Sequence, residues 1–191
     1  PSSQEVETLR QTLLDQLHSD RSGPKPLAPL MAFEVMAGTG ARIGEVCHLD
    51  WEDLDLDAGV AKFRDTVTQE NGKQVSRGHL KNQDPYRISY LPGSLINFLR
   101  AHQKETGPVV ANRYGQRVTP NNLRRAWRTA YDHAGTPKEN RLTPHAIRRA
   151  VASKIAAELG AEYAAQQLGD TLTVAAKHYI APTFAGPRDA A

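Results

Sequence analysis

Apolar residues recur at intervals of three and four over Val6, Leu9, Leu13 and Leu17. That period predicts an amphipathic helix over about residues 3–17, with Ser2 or Ser3 able to cap its start. A polar break containing Gly23 and Pro24 follows. The next stretch, about 27–37, is apolar on nearly every side and predicts a buried helix. Thr39-Gly40 interrupts it, a short helix is predicted over about 42–49, and DWEDLDLDAG reads as an acidic, turn-rich segment. Alternation then replaces helical spacing. Strands are predicted at 60–68, 73–80 and 86–91, with Asn71-Gly72 as a hairpin turn because both residues tolerate positive φ. Helical spacing returns at about 93–105, after Pro92, and at 121–134. The latter helix turns Leu123, Trp127, Ala130 and Tyr131 inward and Arg124, Arg125 and Arg128 elsewhere. Thr143-Pro144 is a helix start, with Thr as N-cap and Pro in the first turn. Ile147, Val151, Ile155 and Leu159 follow at spacing four, and Gly160 ends the run. Two shorter helices fit at 161–168 and 171–178. The pattern is α+β: mostly helical, with a small three-stranded antiparallel sheet.

With 191 residues, of which 39% are apolar, the chain has enough material for one domain with a core. No run approaches the roughly 18 unbroken apolar residues of a membrane span. The opening PSSQEVETLR has no basic-then-apolar leader pattern, and a first residue of Pro rather than Met is what a trimmed piece of a longer chain would have. The single cysteine, Cys47, excludes an intrachain disulfide and a multi-cysteine metal site, and fits a reducing cytoplasm. The net charge of +3 conceals an uneven distribution. Residues 1–61 carry 4 Lys/Arg against 11 Asp/Glu, whereas residues 100–154 carry 12 against 3. A basic block inside a near-neutral chain suits a polyanion, although basic helices are often only solvated.

The candidate chemistry is scattered. His145 and Arg148 in TPHAIRRA lie three apart in a first helical turn, where an imidazole and a guanidinium suit a phosphate. An exposed polar pair is the plainer reading. Arg42 in GTGARIGE opens a short helix and has Glu45 as a structural partner within reach. Lys81 lies past the second strand in GHLKNQDPYRISYLP, where a lysine is ordinarily solvated; Lys73 competes with it, but LKNQDPYRI fits a lysine followed by an arginine-bearing strand better. Tyr179 in AAKHYIAP ends the last predicted helix, a place where tyrosine is usually core or capping material.

Taken singly these signals are weak, but in order they form a series: TGARIGE, a hairpin lysine, HAIRR, LGD, and a tyrosine nine residues after that LGD. The series resembles the catalytic domain of the tyrosine recombinase (phage integrase) family over about residues 4–180. The resemblance implies that Arg42 and Arg148 clamp a phosphate, with His145 beside them and Glu45 in support. It makes Lys81 the hairpin lysine and Tyr179 the nucleophile. The family's residue after Leu-Gly is usually His or Trp; here it is Asp170. An ionised carboxylate cannot donate to a phosphate oxygen. Asp170 orients His145 or Arg148, is protonated when DNA binds, or turns outward; the first reading is favoured.

What the resemblance implies for function is site-specific DNA integration and recombination, including viral genome integration, through a 3′-phosphotyrosyl intermediate. It requires neither metal nor other cofactor, because the phosphotyrosine keeps the bond energy. Expected DNA contacts are Arg113, Arg117, Asn121, Asn122, Arg124, Arg125, Arg128 and Arg149. Expected partners are double-stranded attachment sites, a tetramer on DNA formed from chains monomeric in free solution, and accessory bending or directionality factors, with no membrane. The setting is the cytoplasm of a bacterial cell or phage-infected host. Residues 1–180 form the catalytic domain and 181–191 a tail, without the family's usual N-terminal core-binding domain. Two alternatives stand beside this reading: a DNA-binding regulator of the same fold with weak or lost catalysis, and a type IB topoisomerase-like enzyme.

Overall fold

Two helices open the chain, α1 (Ser3–His18) and α2 (Ala28–Thr39). The structure, a computed structural model, describes residues 3–19, 26–70, 73–76 and 86–170. Helix α2 is buried along nearly its whole length, as its unbroken apolar sequence requires, with Leu30, Met31, Ala32, Phe33, Val35 and Met36 inside. Around it pack α1, α3 (Ile43–His48), α4 (Gly93–Arg100), α5 (Pro120–His133) and α6 (Pro144–Leu159). Helix α7 (Ala161–Leu168) packs on α6 and on the sheet. Leu9 and Leu13 carry α1 into the core, and Arg10 ties it to Glu34 of α2 at 2.6 Å.

The antiparallel sheet has three strands, but not the three predicted. β1 (Leu54–Asp55) comes from the acidic segment read as a turn and pairs with β2 (Val60–Phe63), which pairs in turn with β5 (Arg87–Tyr90). The strand predicted at 60–68 breaks after Phe63. There Asp65 accepts a hydrogen bond from the next backbone N–H, at Thr66, and lies 3.3 Å from His48 Nε2. Such local bonds compete with a strand ladder. Beyond the break, β3 (Val67–Glu70) and β4 (Lys73–Ser76) form a separate two-stranded sheet in which Glu70 pairs with Lys73. The predicted turn Asn71-Gly72 lies outside the described residues, as do the caps Ser2 and the helix at 171–178. Helix α4 stops at Arg100 rather than 105, because the polar HQKETG that follows offers its apolar face nothing to continue with.

Strand periodicity sets up the site. In β2 and β5, Ala61 pairs with Ser89 and Phe63 with Arg87, and these four face inward; Lys62, Ile88 and Tyr90 face outward. An arginine is thereby pointed into the protein from β5.

Candidate active site

The turn that carries Arg42 depends on Gly40. Its φ of +68° ends α2 in the left-handed region, and a side chain there would crowd Val151 at 3.2 Å and Leu168 at 3.3 Å. Thr39 Oγ1 accepts from Ala41 N, steadying the exit. Arg42 is the N-cap of α3. Glu45, three residues into that helix, reaches back to accept from the Arg42 backbone N–H at 2.9 Å and from its Nη1 at 2.9 Å.

Glu45 is 1% exposed and is shared. Its Oε2 also accepts from Arg87 Nη2 at 2.6 Å. Burial pushes this carboxyl up, but the charges of Arg87 and then Arg42, with hydrogen bonds from Arg42, outweigh it and hold Glu45 below the ordinary carboxylate range. For Arg87, burial is the largest influence and lowers its pKa, with Glu45 opposing and Arg148 and Arg42 adding to it. The Arg87 guanidinium lies over the Phe63 ring at 4.6 Å, and donates to Ser89 Oγ and to Gln167 O. Gln167 also exchanges two amide bonds with the Tyr90 backbone, both at 2.9 Å, suturing α7 to the free edge of β5.

Helix α7 ends in a Schellman motif. Asp170 N donates to Ala165 O, Gly169 N donates to Gln166 O, and Gly169 has φ +66°. A Cβ on Gly169 would lie 2.4 Å from Arg87 Cδ, so this glycine both turns the chain and admits the arginine. The turn aims Asp170 at Arg42 and Arg148. Its Oδ1 accepts from Arg42 Nη2 and its Oδ2 from Arg148 Nη2, each at 2.7 Å. Arg148 is 4% exposed and spends further donors on Gly40 O and Leu168 O. The result is one chain of alternating charge, Arg87–Glu45–Arg42–Asp170–Arg148.

Of the predicted catalytic residues, Arg42, Glu45, Arg148 and Asp170 are therefore in direct contact. His145 stands exposed one turn before Arg148 on α6, whose start is capped by Thr143 Oγ1 accepting from Ala146 N. Lys81 and Tyr179 lie outside the described residues. Arg87 and Gln167 are the additions. Only the arginine-bearing strand after the lysine hinted at Arg87, and nothing local marks Gln167.

A cleft of about 810 Å³ opens at the start of α6. Asn121, Asn122, Arg124, Arg125 and Arg128 line it from α5, Lys138 and Arg141 from the following loop, and Thr143 and Pro144 from the start of α6. Inside α5, Trp127 Nε1 donates to Pro29 O and Tyr131 OH accepts from Leu142 N, which fixes the basic face outward. Arg113 and Arg149 are also exposed. Arg117 is placed differently: it donates to Cys47 O and His48 O at the end of α3, and through Nη2 to both oxygens of Asp50. Among the described residues, no helix is long and apolar enough to cross a membrane, and no group of three His, Cys, Asp or Glu is placed to hold a metal ion.

The chain is similar to tyrosine recombinase XerC of Thermodesulfovibrio yellowstonii, at 25% identity over 126 residues, covering 66% of this chain and 40% of the relative. Among solved structures, the Tn1549 transposon integrase in complex with a circular intermediate DNA superposes with a TM-score of 0.74 at 17% identity, covering 96% of this chain and 62% of that one. The XerA recombinase gives 0.66 at 19% identity, with 96% and 60% covered. A lambda integrase dimer bound to a COC′ core site gives 0.63 at 16%, with 100% and 62% covered. The chain thus spans less than two thirds of each of these proteins, and the three solved structures share its fold. The sequence model of the Phage integrase family matches residues 3–184, with Arg42, Glu45, His145 and Arg148 all inside that span; the chain belongs to this family.

Proposed function

We propose that this chain is the catalytic part of a site-specific DNA recombinase of the integrase type. One observation carries the reading: Arg42 and Arg148, from motifs far apart in sequence, converge on one carboxylate. Two guanidiniums directed at a single anion are what a phosphodiester in transition needs.

In this reading, duplex DNA lies along the face of α5, and Arg42 and Arg148 hold the non-bridging oxygens of the scissile phosphate. The Tyr179 hydroxyl attacks phosphorus, its proton passing to His145 or solvent. The bond to the 5′-oxygen breaks, a 3′-phosphotyrosyl bond forms, and Lys81 protonates the leaving 5′-oxygen to give a 5′-hydroxyl. A free phenol with a pKa of about 10 is a poor nucleophile at neutral pH, so nearby cations matter for its activation. Attack by a new 5′-hydroxyl reverses the sequence and rejoins the strand. Removing either arginine is expected to slow cleavage by about 10²–10³-fold. The partners are double-stranded attachment sites, four copies of the chain on two duplexes, and accessory factors that bend DNA or set direction. The work is done in the cytoplasm.

A nicked suicide substrate tests this. Covalent DNA should accumulate on the unaltered chain, vanish in Tyr179→Phe, and yield fragment ends that report the target sequence. If the unaltered chain and Tyr179→Phe behave alike, strand transfer is wrong. A second reading, a DNA-binding regulator of this fold, then takes its place, favoured by the carboxylate already bound between the arginines.

A further inference from the structure

We infer that Asp170 is a built-in stand-in for the scissile phosphate: its carboxylate occupies the anion position between Arg42 and Arg148, and a bound phosphodiester must displace it. The inference rests on the proposed role of those two arginines, and deepens it.

The geometry is that of an anion site already filled. Both carboxylate oxygens are used: Oδ1 accepts from Arg42 Nη2 and Oδ2 from Arg148 Nη2, each at 2.7 Å. Carboxylate and phosphodiester both present two anionic oxygens on one central atom, and arginine recognises them with the same fork. The arginines are held from behind independently of Asp170. Arg42 is gripped by Glu45, and Arg148 by the carbonyls of Gly40 and Leu168. Their positions therefore do not need the carboxylate. What Asp170 does is satisfy one Nη2 of each. Its backbone is pinned by the N–H to Ala165 O, so the carboxylate leaves by side-chain rotation alone.

Displacement makes phosphate affinity a difference between two ion pairings rather than the full value of one. Two cations open to solvent bind any small phosphate or sulfate, whereas a filled pair yields only to an anion anchored by further contacts, such as DNA lying in the basic cleft. The carboxylate thus acts as a selector for extended polyanions over free ones, and keeps the pair closed until a duplex is seated.

The test is binding of inorganic phosphate to the full chain, followed by calorimetry and by the rise in melting temperature with phosphate concentration. Asp170→Asn is expected to bind phosphate at least tenfold more tightly than the unaltered chain. Glu162→Gln, an exposed change of the same charge on α7, should alter binding less than twofold. Equal affinities in Asp170→Asn and the unaltered chain would overturn the inference and make Asp170 a brace. If Asp170→Asn does not fold, two other measurements decide. Asp170→Ser should show the same gain. In the unaltered chain, the ¹³Cγ resonance of Asp170 should shift when duplex DNA is bound, and an unmoved resonance would also reject displacement. Phosphate binding does not depend on strand cleavage. A gain in affinity without covalent DNA would therefore leave this inference standing while removing the recombinase reading.

Discussion

Arg42 and Asp170, 128 residues apart in sequence, are joined by a 2.7 Å charge-assisted hydrogen bond. It is an inner link of a chain of contacts through which α3, β5, α6 and the end of α7 meet: Arg87 and Arg42 share Glu45, and Arg42 and Arg148 share Asp170. Three guanidiniums and two carboxylates leave one formal positive charge. The two carboxylates are not equivalent. Glu45 lies behind Arg42 as part of the scaffold, whereas Asp170 lies between Arg42 and Arg148, the two arginines proposed to hold the phosphate.

Replacing Glu45 by Gln is expected to cost stability. The carboxylate is buried and serves two arginines, and breaking a buried pair from one side costs about 3–5 kcal/mol. Gln keeps one acceptor, so about 3 kcal/mol is expected. The pH dependence separates charge from shape. The Glu45 pKa is lowered on folding, so its contribution is fully present above the ordinary value of 4.5 and is lost as pH falls through the folded-state value. Urea denaturation of the two proteins should therefore differ most near neutral pH and converge as pH drops below that range. A constant gap at all pH values would assign the effect to packing.

Gly169→Ala should be more harmful than its backbone angle explains. Both Gly169 and Gly135 have φ +66°, but a Cβ on Gly135 meets nothing within 4 Å, whereas on Gly169 it meets Arg87 Cδ at 2.4 Å. The left-handed conformation alone costs about 1–2 kcal/mol, and overpacking adds about 1–3. Gly135→Ala should thus lose about 1 kcal/mol and Gly169→Ala about 2–4 in chemical denaturation. Equal losses would mean that Arg87 moves aside freely.

How much of this was legible in the sequence follows from the range of the forces involved. Thr143 as N-cap, Pro144 in the first turn and Gly40 and Gly160 as helix ends are local consequences of backbone geometry, and the structure has them. The inner face of α5 follows from period alone. The ordered motifs brought Arg42, Glu45, Arg148 and Asp170 into view through family resemblance, and of the three readings offered for Asp170 the structure has it on Arg148, not turned outward. Arg87 was not assigned because its inward direction depends on pairing with Phe63, and a one-residue change of register would face it to solvent. Arg117 is expected to contact DNA because it lies in a basic block, and the structure places its donors on protein acceptors. Its acceptors are the carbonyls of Cys47 and His48 and the carboxylate of Asp50, about seventy residues earlier, which no local pattern indicates. The break at Asp65 within the strand expected over 60–68 escapes local pattern for the same reason, since part of what holds it is His48 on another element.

Cys47 should be chemically silent in the folded chain. Burial is the dominant influence and, against the cations Arg124 and Arg117, its thiol is pushed up to about 12. At pH 8 only on the order of 10⁻⁴ of it is thiolate, the form that reacts. A disulfide reagent should label it at the rate at which the structure opens, and immediately in denaturant. Rapid labelling under native conditions would show that α3 opens locally.

Salt dependence distinguishes DNA-facing arginines from structural ones. Arg125 and Arg128 are exposed on the cleft, whereas Arg117 is committed to Asp50 and to the end of α3. A lysine or arginine that neutralises a phosphate contributes about 0.9 to the slope of log affinity against log salt through counterion release. Arg125→Ala combined with Arg128→Ala should therefore lower duplex affinity and flatten that slope by about 1.8, with little change in melting temperature. Arg117→Ala should do the reverse: its loss exposes backbone carbonyls and leaves Asp50 unpaired, so the melting temperature falls while the slope of the remaining folded protein is unchanged. Fluorescence anisotropy on one duplex from low to moderate salt, together with thermal denaturation, reads both quantities. An unchanged slope in the double variant would move the DNA track off α5, and a flattened slope in Arg117→Ala would return that residue to the interface.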